Sequence, residues 1–74
     1  MERQRVSSSN IHSVGYEPTS RELEIEFNNG AVYIYLNVPE SVHKALMHSS
    51  SKGHYLNENI KNRFRCRKIR QGAA

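Results

Sequence analysis

The sequence predicts a small α+β domain: a three-stranded antiparallel sheet with two helices on one face and a basic C-terminal segment. Three observations carry this expectation. Residues 22–27 and 31–36 alternate apolar and polar side chains, an Asn29-Gly30 pair lies between them, and residues 39–50 and 54–64 repeat apolar side chains at intervals of three and four. Alternation with period two marks a strand with one buried face, and the longer spacing marks a helix.

The first strand is placed at about 10–16. Ile11 and Val14 have opposite parity, so a regular strand buries only one of them; a bulge, with Gly15 as its candidate position, reconciles the two. "EPTSR", residues 17–21, reads as a turn in which Pro18 takes a position that type I turns favour. The second strand, about 22–28, puts Leu23, Ile25 and Phe27 on one face and Glu22, Glu24 and Glu26 on the other. The third, about 31–36, puts Val32, Ile34 and Leu36 on one face and Tyr33 and Tyr35 on the other.

A two-residue type I′ turn at Asn29-Gly30 pairs Phe27 with Val32, Glu26 with Tyr33, Ile25 with Ile34, Glu24 with Tyr35 and Leu23 with Leu36. In that register every apolar residue falls on the helix side, while the glutamates and tyrosines share an open face. A slip of one residue mixes the faces.

The first helix, about 39–50, starts at Pro39 and Glu40 and turns Val42, Ala45, Leu46 and Ser49 to the sheet, leaving His43, Lys44 and His48 outside the stripe. Gly53 reads as its left-handed cap. The second helix, about 54–64, carries Leu56, Ile60 and Phe64 on one stripe. "RFRCRKIR" is open to two readings: Arg63, Arg65 and Arg67 align if it is extended, and Arg63, Arg67 and Arg70 if it is helical. The organisation expected is a flexible 1–6, a single domain over 7–66 and a basic tail over 67–74.

The 74 residues carry a formal charge of +4. A chain of this length buries about 60% of its unfolded surface, so its core is small. Of 11 lysines and arginines, Lys61, Arg63, Arg65, Arg67, Lys68 and Arg70 crowd into one ten-residue window without an acid. The one cysteine, Cys66, leaves no intramolecular disulfide, which suits a reducing compartment. Adjacent arginines lower a thiol pKa, while the plainer role for Cys66 is a small apolar side chain against the second helix. No apolar run marks a secretory signal or a membrane span, and the expected location is cytoplasmic. His43 and His48 are five apart, on different helix faces, so they do not chelate, and His12 and His54 add no ligand pattern. No nucleophile motif stands out. Neither a metal, a cofactor nor a catalytic residue is expected.

A wider pattern joins these pieces. Ser8-Ser9-Asn10-Ile11, Gly15-Tyr16, Leu23-x-Ile25-x-Phe27, Asn29-Gly30, Tyr33-x-Tyr35, Val38-Pro39, Ser51-x-Gly53-x-Tyr55-x-Asn57 and Ile60-Lys61 follow in the order of the KTSC domain, which the chain resembles over about residues 7–65. That domain takes its name from the C-terminus of some lysyl-tRNA synthetases and also occurs alone in short bacterial and phage-related proteins. Lys61 stands where the family pattern has arginine, which keeps the charge. The resemblance implies an RNA-binding role and supplies no catalytic residue.

The expected function is therefore a small non-enzymatic module that binds RNA, such as tRNA, as a monomer without a membrane. Lys61, Arg63, Arg65, Arg67, Lys68 and Arg70 would meet phosphates, with Tyr33 and Tyr35 as stacking rings. The alternative is a protein-interaction module that docks a partner, or a second copy, on an exposed Tyr/Glu sheet face.

Overall fold

A computed structural model describes residues 3–72 of the chain. Its sheet has five antiparallel strands, not three, in sequence order: β1 (Arg3–Arg5), β2 (Ile11–Glu17), β3 (Glu22–Phe27), β4 (Val32–Tyr35) and β5 (Cys66–Arg70). Both added strands are sheet edges. Within the segment read as a flexible start, Arg3–Arg5 pairs with β2; at the other end, β5 begins at Cys66, the last residue assigned to the domain, and runs through Arg70 of the segment read as a tail, pairing with β4. Residues 1, 2, 73 and 74, which those two readings also covered, lie outside the described residues. The helical layer is α1 (Glu40–His48) and α2 (Lys52–Tyr55), with α2 running on into a π-helical turn, Leu56–Ile60. Among the described residues, no helix is long and apolar enough to cross a membrane.

Register decides the rest. The β3–β4 connection has three residues, not two. The Gly30 N–H donates to the Phe27 carbonyl at 2.9 Å, the Phe27 N–H donates to the Ala31 carbonyl at 2.8 Å, and Gly30 takes φ +94°. This is a β-turn followed by a glycine of positive φ, the usual three-residue hairpin loop. It pairs Leu23 with Tyr35, Glu24 with Ile34, Ile25 with Tyr33 and Glu26 with Val32, one residue from the expected register. The tyrosines therefore join Leu23 and Ile25 on the helix side. Val32 and Ile34 join the glutamates on the other.

The core follows from this arrangement. Ile11, Val14, Leu23, Ile25, Tyr35, Val38, Leu46, Leu56 and Ile60 form one buried cluster, with Phe27, Tyr33, Val42, Met47 and Phe64 packed on it. The bulge that lets both Ile11 and Val14 face inward lies between Ile11 and Ser13 rather than at Gly15. The β2–β3 turn falls where Pro18 indicated, with the Arg21 N–H donating to the Glu17 carbonyl at 2.8 Å. Val38, fully buried, is fastened twice: its N–H donates to the Arg21 carbonyl at 2.9 Å and its carbonyl accepts from the Tyr16 hydroxyl at 2.6 Å.

The helices differ in detail from the expected stripes. Pro39 is the cap before α1, not its first residue, and Gly53 lies inside α2 rather than capping α1. Ala45 faces solvent, while His43 is half-buried and stacks on Tyr16 with ring centroids 4.7 Å apart. The second helix ends at Ile60, so Phe64 reaches the core from the loop before β5.

The other sheet face carries no helix. Glu26 accepts from Ser13 Oγ at 2.8 Å, pairs with Arg3 at 3.4 Å and pairs with Arg70 at 2.7 Å. Gly15 lies between Arg3 and Glu24 in one cross-strand row, so no side chain blocks the guanidinium, and Arg3 also reaches Glu24 at 3.9 Å. The Ser13 hydrogen bond, then Arg3 and Arg70, hold the Glu26 carboxyl below its ordinary value against an opposing effect of burial. Val32 and Ile34 are buried on this face. Their cross-strand neighbours are Glu26 and Arg70, and Glu24 and Arg67, whose long stems cover apolar surface while the charges stay wet.

Two outcomes follow from this packing. Gly30→Val forces a β-branched residue to positive φ, although nothing lies within 4 Å of the new Cβ. Its thermal melt should show a loss of about 1–3 kcal/mol, and Gly30→Asn, which tolerates that region, should lose less. The second concerns pH. Burial holds the His43 pKa below its ordinary 6.5, with Lys44 adding to the depression and Glu40 opposing it. The unfolded chain then takes up this proton first, so the contribution of His43 is complete above its ordinary value and is lost as pH falls through the folded value. Melts between pH 7.5 and 5.5 should fall for the parent and fall less for His43→Phe, which keeps the stack on Tyr16.

Candidate functional site

One cleft opens on the helix side of the sheet, between the β4–β5 edge and the π-helical turn. Its volume is about 640 Å³, within the range of small-ligand sites. Phe27, Tyr33, Tyr35 and Phe64 give it aromatic surface, and Asn10, Asn28, Asn29, Asn57 and Asn62 give it amides. Lys61 is the charged residue among those lining it; none of them is acidic.

Each contributor is held by local structure. Phe27 and Tyr33 meet edge to face with centroids 5.7 Å apart, a favoured aromatic geometry. Asn28 donates to the Ser8 and Ser9 carbonyls at 3.3 and 2.9 Å and ties the hairpin tip to the β1–β2 loop. The Asn29 side-chain oxygen accepts from the Ala31 N–H at 3.0 Å. Across the cleft, Leu56 and Ile60 anchor the π-helical turn in the core, while Asn57 and Lys61, one residue further along each, line the cleft. The Lys61 N–H closes that turn on the Leu56 carbonyl at 2.8 Å. Such wide turns are frequent at functional sites.

Tyr35 is 4% exposed. Its hydroxyl makes no hydrogen bond among the described residues, yet no described buried side-chain polar atom lacks a partner. The hydroxyl therefore keeps some accessible surface, on a residue that lines the cleft. Burial first, then the nearby Cys66 and Tyr33, push its pKa to about 12, so it stays protonated and can donate at neutral pH.

The residues expected to touch a partner are divided by the fold. Tyr35 lines the cleft but is 4% exposed, so it offers no open ring face for stacking. Tyr33 is half-buried, with the Lys68 ammonium 5.5 Å from its ring centroid. Lys61, Arg63, Arg65, Arg67, Lys68 and Arg70 are all exposed. Lys61 and Lys68 lie on the cleft side, while Arg67 and Arg70 pair with Ile34 and Val32 on the opposite face. Arg70 is engaged, donating to the Gly30 carbonyl at 2.7 Å as well as pairing with Glu26. Among the described residues the ion pairs involve Arg3, Arg70, Glu24 and Glu26, so Lys61, Arg63, Arg65, Arg67 and Lys68 take part in none. An open face shared by tyrosines and glutamates does not exist, because the register puts them on opposite sides. The asparagines were the part missed: they are scattered from residue 10 to 62, and only their order in the family pattern hinted that they meet. Cys66 is exposed and borders the cleft opposite Tyr35 rather than packing against a helix.

A model of the KTSC domain matches residues 7–64. The chain belongs to the KTSC domain family. A crystal structure of a KTSC domain protein from Yersinia pestis is 50% identical and superposes with a TM-score of 0.88, covering 93% of this chain and 97% of that one. A protein of Stutzerimonas stutzeri is 41% identical over 61 residues, 82% of this chain and 86% of its own. A lysine–tRNA ligase of Nostoc is 40% identical over 55 residues, which are 74% of this chain but 10% of the ligase. The KTSC domain is thus a small module related to a region of such ligases.

The register can be checked at the two tyrosines. Tyr35→Thr removes a buried ring and should cost about 3–5 kcal/mol, the range for large aromatic truncations in a core. Tyr33→Thr removes a half-exposed ring and should cost clearly less. Equal, small losses in chemical denaturation would contradict the placement of Tyr35.

Proposed function

We propose that this KTSC domain is a non-enzymatic module that binds RNA along the β5 edge and the loop leading into it. The observation that carries the reading is the clustering of exposed cations that take part in no ion pair among the described residues: Lys61, Arg63, Arg65, Arg67 and Lys68 follow one another along β5 and the loop before it, whereas Arg5, Arg21 and Lys44 stand apart in sequence. Cations already paired gain little from a phosphate, because the existing partner must be displaced first. These five carry no such cost. An edge strand projects side chains to both sides, so a phosphate backbone laid along β5 is reached from the cleft side by Lys68 and from the opposite side by Arg67. Arg70, bound to Glu26, contributes least. Tyr33 offers a secondary stacking surface once Lys68 turns to a phosphate. The relatives named lysine–tRNA ligases, which carry a similar region on an enzyme named for tRNA, support RNA as the partner.

Fluorescence anisotropy with labelled RNA at several salt concentrations tests this. The logarithm of affinity should fall linearly with the logarithm of salt. Arg65→Gln with Arg67→Gln should weaken binding alike for every sequence, since phosphate contacts position without specifying. Each lost contact should flatten the slope by about 0.7 for a single strand. A folded protein with no measurable affinity at about 50 mM salt would overturn the reading and favour a protein partner.

A further inference from the structure

We propose that the cleft between β4 and the π-helical turn receives one unstacked nucleobase of the bound RNA, so that the domain reads single-stranded rather than duplex RNA. The inference rests on the RNA reading above and assigns the cleft a role distinct from that of the cationic edge.

The chemistry of the lining narrows the ligand. Aromatic side chains at Phe27, Tyr33 and Phe64 offer π surface to a flat ring. Asparagine amides each carry a donor and an acceptor, the combination that base edges display. Asn28 is spent on the Ser8 and Ser9 carbonyls and the Asn29 oxygen on Ala31. The side-chain amides of Asn10, Asn57 and Asn62 have no partner among the described residues and border the same space. The Asn10 amide lies close against α2, where a Cβ at Gly53 would stand 3.2 Å from its nitrogen. Tyr35 also lines the cleft, and its hydroxyl has no partner among the described residues. A cationic ligand finds no matching charge inside, since the lining holds no acid, while Lys61, its one cation, suits an anionic group. A neutral, planar, hydrogen-bonding ring with a phosphate attached fits: the ring enters the cleft, and its phosphate meets Lys61 at the mouth.

The cleft also continues into the proposed backbone track. Lys61 borders the cleft and opens the basic window, and Cys66, the first residue of β5, borders the cleft as well. A strand running along β5 therefore passes the cleft mouth. In a duplex the bases are paired and stacked inward, and the cleft stays empty. An unpaired base is free to swing in.

Binding of a single-stranded oligonucleotide and of a duplex with the same phosphate count, measured with two variants, separates the roles. The parent should bind the single strand at least tenfold more tightly. Asn57→Ala with Asn62→Gly, both at exposed positions, the glycine chosen because Asn62 takes φ +151°, should reduce that preference several-fold and leave the salt slope unchanged. Arg65→Gln with Arg67→Gln should flatten the slope and leave the preference unchanged. In amide NMR spectra, adenosine and uridine monophosphates at millimolar concentration should shift the side-chain amide resonances of Asn10, Asn57 and Asn62. Equal affinity for single strand and duplex, or nucleotide shifts confined to β5, would overturn the cleft assignment while leaving the cationic edge standing. No RNA binding at all would overturn both.

Discussion

The backbone of Gly30 determines what each face of the sheet carries. At φ +94° it closes a three-residue loop, and that loop sets the register of β3 against β4. Because side chains alternate with a period of two, the register divides two sets of residues between core and solvent without leaving an intermediate arrangement. With Leu23 opposite Tyr35 and Ile25 opposite Tyr33, the tyrosine rings lie under the helices and supply part of the cleft surface. One residue the other way, the same strand would send Val32 and Ile34 under the helices, and the cleft would lose both its Tyr33 ring and its Tyr35 hydroxyl.

The register also organises charge. The three glutamates of β3 stand on the face without helices, between arginines brought by the two edge strands. Arg3 reaches in from β1 and Arg70 from β5, and both end on Glu26. Acid in the middle is thus neutralised by base from the edges, and the pairs lie over the otherwise bare Val32 and Ile34. Exposed ion pairs of this kind contribute little each; their larger consequence is spatial. They engage Arg70 and leave the cluster of Lys61, Arg63, Arg65, Arg67 and Lys68, which pair with no acid among the described residues, along β5 and the loop before it, next to the cleft.

Much of this was legible in the sequence, and the failures have identifiable physical causes. The strands expected at about 22–28 and 31–36, the turn at Pro18, the helix expected at about 39–50 and found at Glu40–His48, and the need for a bulge between Ile11 and Val14 all followed from periodicity and turn chemistry. The register did not, because Asn28-Asn29-Gly30 serves equally as the end of a two-residue or of a three-residue loop; both place glycine at positive φ. Alternation in β4 could not arbitrate either, since Val-x-Ile and Tyr-x-Tyr are both good inward-facing sets. The edge strands were missed for another reason. "RQR" and "CRKIR" are exposed at every position, so they carry no burial pattern to read. Charge on an edge strand guards against unwanted pairing with other chains, and here it hides the strand from a reading based on hydrophobicity.

The cleft shows the same limit from the other side. Its amides come from the β1–β2 loop, the hairpin tip, the π-helical turn and the loop before β5, and of those segments only the last two adjoin in sequence. What brings them together is the core beneath. Ile11, Leu56 and Ile60 pack in the same cluster, so the residues beside them in sequence, Asn10, Asn57 and Lys61, are carried to the same rim. The wide turn matters here: a hydrogen bond from Lys61 back five residues to Leu56 keeps Leu56 and Ile60 both inward while enlarging the backbone ring by one residue relative to an α-helix. A family pattern made of single polar residues next to single apolar ones is what such an arrangement leaves in a sequence. The apolar partner of each pair is there for the core, and the polar partner is delivered to the cleft by it.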